Sequence, residues 1–89
     1  MNKKTMKLIE NGRKQSDGHF TLYIFTTVVQ ASFETPPDEI RVFKGFRDDA
    51  DIYNYFSSIP SVEIKDYSSL EDAIEAVVNK AYSIVMKEC

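Results

Sequence analysis

In 89 residues the chain has one cysteine, one histidine, three glycines and three prolines. Each scarcity removes a class of chemistry. Cys89 has no second cysteine to pair with, so no intrachain disulfide can form, and a reducing, cytoplasmic setting is expected. As a terminal thiol it also lacks the ordered, positive surroundings that activate a cysteine nucleophile. His19 stands alone: a general base needs a partner within hydrogen-bond reach, and a metal site needs several ligands at suitable spacing. It reads as an ordinary strand-edge histidine. Gly12, Gly18 and Gly45 are isolated, so there is no phosphate-cradling glycine loop.

Long hydrophobic runs are also missing. No window approaches the roughly 20 apolar residues of a membrane-spanning helix. The opening MNKKTMKLIENGRK is basic but has neither the apolar stretch nor the small-residue cleavage site of a secretory signal. Neither a membrane nor a cofactor is expected. With 43% hydrophobic and 28% charged residues, the composition is that of one globular domain over residues 1–89, with residues 1–4 as a flexible basic terminus.

What the chain does have is an uncharged run, His19 to Phe33 (HFTLYIFTTVVQASF), free of Asp, Glu, Lys, Arg, Gly and Pro. Its β-branched and aromatic side chains suit a pleated, half-buried sheet. Phe20, Leu22, Ile24 and Val28 put apolar groups at even positions, whereas Val29, Ala31 and Phe33 put them at odd ones. Strand side chains alternate with a period of two, so this change of parity changes the inward face. A β-bulge near Thr26-Thr27 is the expected cause; a tight hairpin there is disfavoured because Thr-Thr is poor turn chemistry.

Around this run, Thr5–Glu10 could form a short strand, and Asn11-Gly12 and Asp17-Gly18 carry the strongest turn signals. Thr35-Pro36-Pro37-Asp38 breaks the run and reverses the chain. Residues 39–46 read as a strand. A helix is expected over 48–59, with Ile52, Tyr55, Phe56 and Ile59 at i, i+3, i+4 and i+7. The cluster Asp48, Asp49 and Asp51 is explained by that helix's positive N-terminus better than by a cation site. Ser61–Asp66 alternates as a half-exposed strand. Residues 69–87 carry a continuous apolar stripe behind a Ser68-x-x-Glu71 capping box.

The expected fold is therefore α+β, a two-layer sandwich in the order β-β-β-α-β-α. An antiparallel sheet of three to four strands carries both helices on one face. Its core should comprise Phe20, Leu22, Ile24, Ile40, Val42, Ile52, Phe56, Ile74, Val77 and Ala81. The stretch Tyr67–Ala76 (YSSLEDAIEA) is similar to the capped helix that closes many small phage and plasmid proteins, antitoxins among them. The overall layout resembles that of small anti-defence proteins of phages. Neither resemblance brings a residue role with it.

Function is approached through surfaces. With both helices on one face, Tyr23 and Phe25 would stand on the open face beside His19 and Thr21, a row suited to protein contact. The alternative is that they pack beneath the N-terminal arm or the 11–18 loop. Charge is segregated: residues 1–14 hold five basic groups (Lys3, Lys4, Lys7, Arg13, Lys14) and one acid, giving +4, and the remainder carries −7. The basic arm could touch phosphate while sheet aromatics stack bases, but the acidic body would repel nucleic acid. The expectation is a non-enzymatic bacterial or phage regulator or inhibitor that binds another protein through its sheet face. A homodimer is one form of such a partnership, and a nucleic-acid-binding module is the alternative.

Overall fold

The computed structural model describes residues 2–33, 39–42 (as backbone) and 59–88. Within them lie helix α1 (Lys3–Gln15), strands β1 (Thr21–Ile24), β2 (Val28–Ser32), β3 (Glu39–Val42) and β4 (Ser61–Glu63), a 3-10 turn (Ile64–Asp66) and helix α2 (Leu70–Glu88). The class is α+β. The expected turn at 35–38, the strand residues 43–46, the helix over 48–59 apart from Ile59, the acids Asp48, Asp49 and Asp51, and Cys89 lie outside the described residues.

The N-terminal segment corrects the strand expected over Thr5–Glu10. It is helical because Asn2 caps it, accepting the Thr5 N–H on its side-chain oxygen at 2.8 Å. Thr5, Ile9 and Gly12 are buried and Leu8 is half-buried, so the inward face recurs at i, i+3, i+4 and i+7. Lys3 and Lys4, expected in a loose terminus, form its first turn. Asn11-Gly12 is not a turn. Gly12 is instead where α1 meets the sheet, since a Cβ there would lie only 2.4 Å from the Phe33 ring. The helix ends at Gln15, and the chain then turns at Asp17-Gly18, where a turn was expected. Asp17 (φ 57°) and Gly18 (φ 86°) both take left-handed backbone, and the Gly18 N–H returns to the Arg13 carbonyl.

The change of parity in the uncharged run is real, but its cause is a hairpin and not a bulge. β1 and β2 pair antiparallel with Leu22 opposite Ala31 and Ile24 opposite Val29. The Phe25 N–H reaches the Val28 carbonyl at 2.9 Å, leaving Thr26-Thr27 as a two-residue turn. In that register even positions of β1 face odd positions of β2, so Phe20, Leu22, Ile24, Val29, Ala31 and Phe33 all share one face. The Phe20 and Phe33 rings meet with centroids 5.0 Å apart.

The sheet order is β3-β1-β2-β4. β2 pairs antiparallel with β1 and β4, but β3 runs parallel to β1, with Leu22 beside Ile40. An all-antiparallel sheet in the order β-β-β-α-β-α is thus corrected: the chain begins with a helix, and the sheet is mixed. The reversal after β2 does occur, but β3 lies on the far side of β1 and not beside β2.

One core fills the space between this sheet face and both described helices. It combines Ile9 from α1, Phe20, Leu22, Val29, Ala31 and Phe33 from the hairpin segment, Val62 from β4, and Ala73, Ile74, Val77, Val78, Ala81 and Val85 from α2. Of the expected core, Phe20, Leu22, Ile74, Val77 and Ala81 are buried and Ile24 is half-buried against it. The side chains of Ile40, Val42, Ile52 and Phe56 lie outside the described residues. α2 begins one residue from its expected start, but its cap is Ser69, whose hydroxyl accepts the Asp72 N–H at 3.2 Å. Ser68 donates instead to the Asp72 carboxylate, so the expected Ser68–Glu71 box is not the one formed.

Candidate functional site

The second face of the sheet decides the fate of the aromatic row. Thr21, Tyr23 and Phe25 point away from the core just described, as the alternation requires, but they are not open to solvent. Thr21 is fully buried, Tyr23 and Phe25 are each 3% exposed, and His19 is half-buried. The Tyr23 and Phe25 rings lie parallel with centroids 6.3 Å apart, in a second apolar cluster with Val28 against which Ile59 packs. The exposed row of His19, Thr21, Tyr23 and Phe25 is therefore corrected: both faces of β1 and β2 are covered, Thr21, Tyr23 and Phe25 are buried, and His19 is half-buried. His19 contributes its backbone to the loop, its carbonyl lying 3.0 Å from the Ser16 hydroxyl.

The basic residues fare differently, because the helix sorts them. At 100° per residue, Thr5, Ile9 and Gly12 turn inward, and Lys3, Lys7 and Lys14 fall on the opposite, outward line. All three are exposed, and none has an ion-pair partner among the described residues. Lys4 and Arg13 flank this line. Lys4 pairs with Glu75 of α2 at 3.3 Å, and the Arg13 Nε donates to the Gly18 carbonyl at 3.3 Å. The five cations expected to act together thus divide into three that point to solvent and two that also stitch α1 to its neighbours.

Two residues of this face were not singled out by sequence: Met6, 46% exposed, and Glu10. With Arg13 they stand at i, i+4 and i+7, one line beside the lysines. A hollow of about 360 Å³, lined by Glu10, Arg13, Lys14 and Gly18, opens where α1 ends. A strand over Thr5–Glu10 would set Met6 and Leu8 on one side, whereas the helix turns Leu8 inward and leaves Met6 exposed. Chemically, the face offers an apolar anchor in Met6, three exposed ammonium groups and one carboxylate. That combination suits recognition and supplies no evident nucleophile–base pair.

Among the described residues no group of three or more His, Cys, Asp or Glu could hold a metal ion, and no helix is long and apolar enough to cross a membrane. No protein-family model matches the chain, nor does any curated protein or solved structure.

Proposed function

We propose that the chain is a small non-enzymatic regulator or inhibitor that binds another protein through the outward face of α1. The observation that carries this reading is Met6, half-exposed in a row with Glu10 and Arg13 and bordered by Lys3, Lys7 and Lys14. Methionine is enriched in protein interfaces, where a flexible thioether fills irregular gaps. The lysines suit an acidic partner, steering its approach more than holding it.

The second reading is contact with nucleic acid through Lys3, Lys7 and Lys14. Glu10 weighs against it, because it stands beside the cationic line, between Lys7 and Lys14 along the helix, and would face phosphate, whereas a protein can meet it with a cation of its own. With three lysines on this face, unpaired among the described residues, the expected slope of log affinity against log salt is no steeper than about −3.

The test is capture of partners from a bacterial lysate by the wild-type chain, by Met6→Asp/Arg13→Glu and by Lys3→Glu/Lys7→Glu/Lys14→Glu. The circular dichroism of all three should match. A protein held by the wild type, lost with the first variant and weakened by the second supports the reading. Equal capture by all three chains sinks it. Retention of DNA or RNA that only the lysine variant abolishes would put the second reading in its place.

A further inference from the structure

Among the described residues the sheet has an edge at β4 that is left partly unpaired. The Ile64 N–H donates to the Thr27 carbonyl at 2.9 Å, and the Pro60 carbonyl accepts from Ala31 at 3.1 Å. With Val29 opposite Val62, the residues whose backbone turns towards β2 are therefore 60, 62 and 64. Ser61 and Glu63 turn theirs outward. The Ser61 carbonyl receives the Lys80 ammonium at 3.2 Å, leaving its second lone pair open. No acceptor for the Ser61 or Glu63 N–H is present among the described residues. A hollow of about 240 Å³ lined by Ser61, Val62, Glu63, Asp66, Tyr67 and Lys80 lies against this edge.

We propose that a second copy of this chain pairs with β4 edge to edge, antiparallel about a two-fold axis through Val62. The segment is self-complementary. Its outward groups sit on its first and third residues, so rotation about the middle one sets Ser61 opposite the second copy's Glu63 and Glu63 opposite its Ser61. Each pair exchanges two N–H···O bonds, four in all, and both outward donors of each copy find acceptors. The same register keeps the two Glu63 carboxylates from standing directly opposite each other, where like charges repel. It also brings Glu63 of the second copy towards the Lys80 ammonium. An isologous contact of this kind closes after two copies and joins two four-stranded sheets into one. The surface is separate from the outward face of α1, so this dimer stands or falls independently of the function proposed above.

Sedimentation velocity over a concentration series should show a reversible monomer–dimer equilibrium. Hydrogen exchange followed over the same series should show the Ser61 and Glu63 amides protected only where dimer predominates. Glu63→Pro removes an outward donor at a residue whose φ of −88° tolerates proline, and should weaken association by about tenfold or more. Ser61→Pro, which removes the other outward donor, should do the same if Glu63→Pro disturbs folding. A monomer at every concentration overturns the proposal. So does a dimer in which the two amides exchange freely, or one that a folded proline variant leaves intact.

Discussion

A helix interior is ordinarily a place where glycine costs stability, by about 0.5–1 kcal/mol relative to alanine. Gly12 reverses that rule, because the Phe33 ring occupies the space of the missing side chain. Gly12→Ala should therefore destabilise the fold by about 1–3 kcal/mol through overpacking, although it improves helix propensity. Urea denaturation of Gly12→Ala, Phe33→Leu and the pair checks this. The double variant should recover part of the loss, because a smaller, flexible neighbour can give way. Simple additivity would show that the ring is not what constrains the glycine. Thr5 poses the opposite problem on the same buried face: it is fully buried, and its hydroxyl has no hydrogen-bond partner among the described residues. A desolvated hydroxyl without a partner costs free energy that an isosteric methyl does not. Thr5→Val should raise stability by about 1 kcal/mol, read as a higher denaturation midpoint at unchanged slope.

The elements differ in how openly the sequence declares them, and the reasons are physical. α2 is plain because its inward positions are all apolar, so local period and tertiary burial coincide. α1 is concealed because two of its four inward positions, Thr5 and Gly12, are not hydrophobic side chains, and Asn11-Gly12 imitates a turn. Parity within the uncharged run located the change of face correctly. It did not distinguish a bulge from a two-residue turn, since both shift the alternation by one. The place of β3 in the sheet was beyond reach, although its reversal was expected: a strand reversed after β2 can lie beside β2 or, across the hairpin, beside β1. The cap of α2 allows a direct comparison of adjacent serines. Ser69→Ala should cost about 1 kcal/mol, because it orphans the Asp72 N–H, while Ser68→Ala, which loses only an exposed side-chain pair, should cost less. Thermal melts of the two single variants decide it, and an equal loss would mean that both serines share the cap.

At the scale of the whole molecule, the decisive fact is that both faces of the β1–β2 hairpin are buried. A two-layer expectation leaves one sheet face for contact, and a row of aromatics on it then looks like a binding site. With that face covered, the same residues become structural, and the surface open to contact lies on the helices and the sheet edges. The candidate site was legible only in part for this reason: the cations were visible as a cluster, but which of them face solvent depends on the helix that carries them. Tyr23→Asp separates the two accounts. On an open face it would abolish a contact and leave the melting curve in place. At 3% exposure, stacked on Phe25, the substitution removes a ring from the second cluster and buries a carboxylate where the ring had been. Losing the aromatic alone costs about 3–5 kcal/mol, and the desolvated charge adds to it. A domain of this size has a total stability on the order of 5–10 kcal/mol, so Tyr23→Asp should abolish cooperative unfolding altogether. Tyr23→Phe, which keeps the ring, should retain a single sharp transition in the same denaturation experiment. A Tyr23→Asp chain that melts like the wild type would restore the open face and return Tyr23 and Phe25 to the surface.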